Sequence, residues 1–278
     1  MKKITRRSFL AAAGLSVAAL ALTACGGPAS SAASSVASSA ASSEAASSAA
    51  TAELTTVEAG KLTMATNAAF PPYEMTTDAG EFEGIDVDTA KAIAEKLGLE
   101  LQIDDMDFDA ALLSVQQGKA DIVMAGVTVT DERKAVMDFS DSYATGIQSI
   151  IVPNDSDIAS PDDLAGKTIG TQRGTTGYIY CSDDFGDENV VAYDDGLTAV
   201  QALNNGQVDA VVIDNAPAQE FVAANPGLKV LDTSYAEEDY AIGMAKGSAL
   251  EDAVNKALEE LKADGTLQAI VDKYINAN

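Results

Sequence analysis

Leu113-Ser114-Val115-Gln116-Gln117-Gly118-Lys119-Ala120-Asp121-Ile122-Val123-Met124 has a counterpart at Gln201-Ala202-Leu203-Asn204-Asn205-Gly206-Gln207-Val208-Asp209-Ala210-Val211-Val212. Each copy reads as the end of a helix, a glycine stop, an Asp three residues on, and a short apolar strand. Earlier in each half, Gly60-Lys61-Leu62-Thr63-Met64-Ala65-Thr66-Asn67 matches Gly166-Lys167-Thr168-Ile169-Gly170-Thr171-Gln172-Arg173. Any two strand–helix units look somewhat alike, but the shared Gly-to-Asp spacing in the same order points to two lobes that repeat one another. Each half runs strand, helix, strand, helix, strand. Ile85 to Leu97 reads as a helix, with apolar Ile85, Ala90, Ile93, Ala94 and Leu97 on one face. Leu99 to Ile103 alternates as a strand. Ser160-Pro161-Asp162-Asp163-Leu164 starts a short helix with a cap and Pro at its first position. Leu250 to Leu261 and Thr266 to Tyr274 read as closing amphipathic helices. This alternation predicts an α/β protein of two lobes, each a mostly parallel sheet flanked by helices, with a hinge between them. Ligands of such sheets sit beyond the carboxyl ends of the strands. Gly126 and Asp214 each follow an apolar strand, which predicts a cleft between them.

The stretch after the first copy, Ala125-Gly126-Val127-Thr128-Val129-Thr130-Asp131-Glu132-Arg133, carries the chemistry. Thr130, Asp131 and Glu132 read as a helix start, a cap followed by two acids. Arg133 is out of place there, because the amino end of a helix disfavours a cation by a few tenths of a kcal/mol. A misplaced Arg is often a plain surface residue. The neighbours argue otherwise: Gly126 lets a ligand approach the backbone, Thr128 offers a hydroxyl, and Arg133 offers a planar fork for a carboxylate. Asp214 precedes Asn215-Ala216-Pro217 and has two compatible roles, capping the next helix or accepting from an ammonium group. Arg173-Gly174-Thr175-Thr176-Gly177 joins a strand to a helix, and its free backbone N–H groups offer an anion seat. Phe70, Tyr73 and Phe108 are either core or the walls of a slot for a side-chain stem. Asn67 and Gln172 stand at the same rim.

The ends carry a different message. Lys2, Lys3, Arg6 and Arg7 precede an apolar stretch from Phe9 to Leu22, too short for a stable membrane span. Leu22-Thr23-Ala24-Cys25 resembles the bacterial lipobox, which implies cleavage before Cys25 and lipid on its sulfur. Thr5-Arg6-Arg7-Ser8-Phe9-Leu10 also resembles a twin-arginine signal, leaving two export routes open. Gly26 to Ala52 is almost wholly Ala and Ser and cannot bury a core. As a coil it would reach about 30 Å, a tether between membrane and folded body.

The chain has 278 residues, no His, two Cys and a net charge of −26. Loss of residues 1–24 would leave 13 basic residues against 43 acids, a net of −30. So acidic a surface argues against nucleic acid and anionic membranes. With no His and, after lipidation, one remaining Cys, the composition argues against a metal site and a Ser-His or Cys-His nucleophile.

From about Lys61 to Tyr274 the chain resembles the family 3 extracytoplasmic solute-binding proteins, which serve ABC importers of polar amino acids. The matching stretches are Asn67-Ala68-Ala69-Phe70-Pro71-Pro72-Tyr73, Gly84-Ile85-Asp86-Val87-Asp88, Met106-Asp107-Phe108-Asp109, Ala125 to Arg133, Asp138-Phe139-Ser140, Gly166-Lys167, Gly174-Thr175-Thr176 and Asp214. The resemblance implies the two-lobe periplasmic-binding-protein fold of type II. It implies that Phe70 and Phe108 sandwich the ligand side chain, that Gly126, Thr128, Arg133 and Thr176 hold its α-carboxylate, and that Asp214 holds its α-amino group. Relatives that bind basic amino acids or glutamine often carry Asp where this chain has Asn67, and Arg173 is unusual beside the pocket. The candidate ligand-binding set is Asn67, Phe70, Tyr73, Phe108, Ala125, Gly126, Thr128, Arg133, Gln172, Thr175, Thr176 and Asp214, with Cys25 as the lipidation site. The expected boundaries are residues 1–24 for the signal peptide, 25–52 for the tether, 53–147 plus 243–278 for lobe 1, and 148–242 for lobe 2. The family's crossovers fall near Gly146–Ile151 and Asp239–Gly243.

The expected protein is a monomeric, lipid-anchored, extracytoplasmic receptor without a cofactor, which closes on a free amino acid and passes it to ABC importer permease subunits. A neutral Asn67 favours a polar, uncharged or mildly extended side chain. The rival readings are a cyclic hydroxy-acid dehydratase or a sensory domain on the same fold. An enzyme would need a general acid in the cleft, where Asp214 is the main candidate and is committed to the ammonium.

Overall fold

The computed structural model describes residues 54–275. The first half contains β1 (Lys61–Thr66), β2 (Ala69–Phe70), β3 (Glu74–Thr76), β4 (Phe82–Glu83), α1 (Ile85–Leu97), β5 (Glu100–Asp105), α2 (Phe108–Gln116), β6 (Ile122–Val123), α3 (Asp131–Val136) and β7 (Met137–Phe139). The second half contains β8 (Ala144–Pro153), β9 (Ile169–Gln172), α4 (Thr176–Phe185), β10 (Val190–Tyr193), α5 (Gly196–Asn204), β11 (Ala210–Asp214), α6 (Asn215–Ala224), β12 (Leu228–Val230), β13 (Ala236–Tyr240), β14 (Gly243–Ala245), α7 (Glu251–Ala263) and α8 (Thr266–Ile275). Pro161–Leu164 is a 3₁₀ turn, closed by reciprocal hydrogen bonds between Ser160 and Asp163.

From Leu62 onward β1 is buried on both faces, so helices must cover both sides of its sheet. Leu62 and Met64 pack in the cluster of Ile85, Ala90 and Ile93 from α1 and Leu258 from α7; Ala65 packs with Ala111 and Val115 of α2. In β11 the same alternation sends Val211 and Ile213 to α5 and α6, and Ala210 and Val212 to the Leu164–Cys181 cluster beneath α4. Cys181 is fully buried, and burial pushes its thiol up to about 12. Gly84 has φ +132, and a side chain there would run into the Tyr73 carbonyl, so only glycine admits the turn into α1.

The two sheets repeat one topology. One has the order β5-β1-β6-β14-β7, the other β10-β9-β11-β8-β12 with β13 also on β8. The first three strands of each are parallel, and the fourth, β14 or β8, is the reversed one. Gly118 and Gly206 end the helices at φ 65 and 67. Asp121 Oδ2 accepts from the Thr63 N–H and Asp209 Oδ2 from the Thr168 N–H, both at 2.8 Å.

That equivalence corrects the register expected for the first half of the repeat. Met64 pairs with Ile122 and Ile169 with Ala210. Met64 therefore corresponds to Ile169, and Asn67 to Gln172 rather than to Arg173. Lobe 2 enters its strand one residue sooner after the glycine, a slip that composition alone does not reveal.

The lobes are tied by two crossing segments. β8 leaves the first sheet after β7, and β13 returns to β14. Ala144–Gln148 and Ala236–Tyr240 pair as an antiparallel ribbon between the sheets. Gly146 sits within it, where a Cβ would lie 2.5 Å from the Tyr240 ring and 2.6 Å from Asp214 Oδ1.

Candidate functional site

Between the lobes lies a narrow cleft lined by Asn67, Phe70, Glu74, Phe108, Ala125, Gly126, Thr128, Arg133, Gln172, Thr175, Thr176 and Asp214. The strand ends bring these residues together. Tyr73 is the one candidate from the sequence that stands behind the wall. Its ring stacks on Phe70 at 5.9 Å and meets Tyr240 edge-on at 5.3 Å. It stiffens the Phe70 wall and does not line the cleft.

Arg133 explains its own misplacement. The Thr130 hydroxyl accepts from the Arg133 N–H at 3.2 Å, so the backbone cap is satisfied. The guanidinium turns inward. Nη1 donates to the Thr128 carbonyl at 2.7 Å and Nη2 to the Gly174 carbonyl at 3.1 Å, on the other lobe. The Phe108 ring lies 5.3 Å from its centre. Burial pulls its pKa below the usual Arg value, yet a guanidinium stays charged in proteins. Donors remain on it for a ligand anion.

The Gly126 loop is held from behind. Gly126 has φ +55, and a Cβ there would meet the Phe70 ring at 2.9 Å. Its N–H donates to Asp86 Oδ2 at 2.9 Å, and the Tyr143 hydroxyl donates to the same oxygen at 2.8 Å. Burial raises Asp86 to about 6.

Asp214 is at the cap position of α6, but its carboxylate does not cap the helix. Oδ2 accepts from Gln148 Nε2 at 2.6 Å, the Tyr240 hydroxyl and the Ile147 N–H also face the carboxylate, and among the described residues no cation is paired with it. Burial raises Asp214 to about 7, with Glu238 adding to the effect. A buried carboxylate at the cleft wall with no cationic partner is a seat for a cation.

Two further acids overturn the expectation that the cleft holds little besides Asp214. Glu74 is fully buried, lines the cleft, and has another acid, Asp86, as its hydrogen-bond neighbour. Burial first, and then the Asp86 charge, push its carboxyl well above the usual range. Glu238 accepts from the Thr128 and Thr176 hydroxyls and from Gln148 Nε2. Glu74 directly follows the Asn67–Tyr73 stretch, so proximity could have flagged it. Glu238, Gln148 and Asp86 had no local signal: their roles depend on partners at least 40 residues away.

At the rim, Gln172 Nε2 donates to Asn67 Oδ1 at 2.8 Å, and Asn67 Nδ2 donates to the Met106 carbonyl at 2.9 Å. The two equivalent residues of the repeat thus clasp each other across the cleft. Arg173 is exposed and points away, to the Ala192 carbonyl and Asp194.

Two α/β lobes on a paired-strand hinge, with an inward Arg on one and an Asp without a counter-ion on the other, define a two-lobe binding protein for small zwitterions. The chain belongs to the bacterial extracellular solute-binding proteins, family 3, whose sequence profile matches residues 62–277. The L-cystine-binding protein TcyJ of Escherichia coli (strain K12) is 33% identical over 225 residues, 80% of this chain and 85% of that protein. The arginine-, lysine-, histidine-binding protein ArtJ of Geobacillus stearothermophilus has a similar structure, with a TM-score of 0.75 and 35% identity over 78% of this chain and 96% of that one. An ancestral arginine-binding protein bound to arginine gives 0.74 and 43% over 78% and 98%. The chain is accordingly an extracytoplasmic substrate-binding protein, of the kind that captures amino acids for ABC importers.

Proposed function

We propose that the chain is a receptor, and not an enzyme, that closes on a free amino acid with a cationic side chain and delivers it to ABC importer permease subunits. The observation that carries this reading is the pair of under-satisfied buried acids on the cleft wall, Asp214 and Glu74, facing a space that also holds Arg133. Arg133 supplies the contact for the α-carboxylate and Asp214 the contact for the α-ammonium. Phe70 and Phe108 flank the stem, with Asn67, Ala125, Gly126, Thr128, Gln172, Thr175 and Thr176 completing the walls. Tyr73 supports Phe70 from behind.

The expectation of an uncharged side chain rested on Asn67. Its amide is spent on Gln172 and Met106, and Glu74 offers a buried carboxyl that an incoming cation would favour in its ionised form. A buried carboxyl whose neighbour is a second acid gains most from a guanidinium or ammonium. The relatives named for arginine, lysine and histidine support the same choice.

The test is a thermal-shift screen of the common amino acids, followed by calorimetry on wild type and Glu74→Gln. L-Arginine should rank above L-glutamine. Glu74→Gln should weaken L-arginine by roughly 10-fold, the lower end for a charged hydrogen bond, and L-glutamine by less than about 3-fold. L-Glutamine ranking first in wild type would end the cationic reading and leave the amino-acid receptor standing.

Lobe 1 comprises residues 53–147 plus 243–278 and lobe 2 residues 148–242, with the β8–β13 ribbon as hinge. The protein acts as a monomer. The signal peptide (residues 1–24), Cys25 and the tether (25–52) lie outside the described residues; after cleavage of the signal peptide, lipid on Cys25 and the tether hold the receptor at the cell membrane. Cys25→Ser should move the protein from the membrane fraction to the soluble fraction with unchanged ligand affinity. Continued sedimentation of the mutant with membranes would remove the lipid anchor.

A further inference from the structure

Glu74 on β3 and Asp86 at the start of α1 meet where the chain turns from strand to helix. The Asp86 N–H donates at 2.8 Å to the carbonyl of Tyr73, the residue before Glu74, and the Ile85 N–H donates to the Pro72 carbonyl at 3.0 Å. These bonds fix the two acids as neighbours, and both are fully buried. Asp86 Oδ2 accepts from the Gly126 N–H and the Tyr143 hydroxyl. Among the described residues, no other N–H or O–H reaches Asp86 Oδ1 or either Glu74 oxygen. Those three oxygens have only the facing carboxyl.

A carboxylate oxygen only accepts, so two carboxylates cannot bond each other, whereas a carboxylic acid owns an O–H to donate. Like charges side by side in a buried site do not both ionise. The surroundings give no relief: the pair is faced by Tyr73, by Tyr143, by Asp105 at the end of β5 and by Asp214 at the end of β11, all acids or phenols. The proton falls on Glu74, because two donors already favour the charged form of Asp86. Glu74 also lines the cleft. A cationic side chain that enters there brings the positive charge that the proton supplies in the empty receptor. The Glu74 O–H bond breaks, its electron pair stays on the carboxylate, the proton leaves to solvent, and the carboxylate accepts from the ligand's N–H. The charge buried at the pair is unchanged. An uncharged side chain brings no substitute, and Glu74 keeps its proton.

We propose that Glu74 and Asp86 hold one proton between them in the empty receptor and that a cationic ligand side chain displaces it, so that binding a basic amino acid releases a proton that binding an uncharged one does not. The preference for basic over uncharged ligands is thereby tied to pH. This rests on the reading that the receptor takes cationic amino acids.

The test is calorimetry of L-arginine and L-glutamine at pH 8, each in two buffers of different ionisation enthalpy, which counts the protons released on binding. At that pH Asp214, raised to about 7, is mostly ionised, and its share is common to both ligands. Wild type should release about one more proton with L-arginine than with L-glutamine. The ratio of the two affinities should rise from pH 6 to 8 in favour of L-arginine, by at most about 10-fold per pH unit. Glu74→Gln has no proton to give up, so the difference in release should vanish and the ratio should become flat. Equal release by the two ligands in wild type, or a difference that survives in Glu74→Gln, overturns the assignment. If Glu74→Gln does not fold, Asp86→Asn carries the test. It keeps an oxygen for Gly126 and Tyr143 and offers Glu74 an N–H, so Glu74 ionises without ligand and the extra proton should largely disappear. An undiminished extra proton in Asp86→Asn also overturns it. Wild type that does not bind L-arginine ends the cationic reading and this assignment together. L-Arginine bound with no extra proton ends only the assignment.

Discussion

Arg133→Ala is expected to cost at least about 100-fold in affinity for L-arginine, with both lobes still folded. Truncating one partner of a buried charge pair costs about 2–5 kcal/mol, much of it from the charge left unpaired. Here the loss is threefold. The ligand carboxylate loses its fork, the Gly174 carbonyl on the opposite lobe loses its inter-lobe donor, and Phe108 loses the cation over its ring. The hydrophobic clusters that hold each lobe do not include Arg133, so the unliganded melting transition should survive. Arg133→Lys should bind almost as poorly. An ammonium is a point donor and cannot hold Thr128, Gly174 and a carboxylate in one plane. Calorimetry showing less than a 10-fold loss in a folded Arg133→Ala would remove Arg133 from the site.

Asp214→Asn should move binding and stability in opposite directions. Ligand affinity should fall by about 100-fold, because an amide cannot offer the ammonium a charged acceptor. The unliganded protein should become more stable by about 1–4 kcal/mol, because a costly buried charge is gone. The pH dependence has a definite sign. Asp214 is raised from 3.8 to about 7 and Asp86 from 3.8 to about 6, so between pH 4 and 7 the folded state binds more protons than the unfolded one. Their contribution to the unliganded protein is full below about pH 4 and is lost as pH rises to about 7. Binding of an ammonium requires ionised Asp214, so affinity should rise over the same interval, by at most about 10-fold per pH unit for each proton released. Asp214→Asn should flatten the part of both profiles nearest pH 7. Thermal melts and calorimetry from pH 5 to 8 check both. A mutant that loses stability, or that keeps wild-type affinity, contradicts the assignment of Asp214.

Much of this site could be read along the chain because its determinants are local. In Ala125–Arg133 a strand end, a glycine, a cap and an out-of-place Arg sit within nine residues. The position of Arg133, three residues after Thr130, is enough to mark it, since helix-end electrostatics depend only on neighbours. Ile85–Leu97 was legible for the same reason: its apolar period and its closing Gly98 are local signals. Arg173 shows the limit. It follows a strand as Asn67 does, but one residue of register separates the two repeats, and its side chain faces solvent while that of Gln172 faces the cleft.

Glu238 shows the limit from the other side. In Ala236–Tyr240 the strand period puts Glu238 and Tyr240 on the buried face. Charge argues that a Glu should face water, and with no partner in sight along the chain that argument wins. Folding reverses it, because Thr128, Gln148 and Thr176 arrive from three separate elements to share one oxygen. Glu74 is similar: its environment is made by Asp86 and by closure of the cleft, not by Tyr73 and Met75 beside it. Helix limits, strand faces, the two-lobe repeat and the Arg133 socket follow from periodicity and caps, which act over a few residues. The meeting of Thr128, Thr176 and Gln148 on Glu238, the Asn67–Gln172 clasp and the raised acids follow only from tertiary structure, because burial and hydrogen-bond partnership belong to neighbours in space.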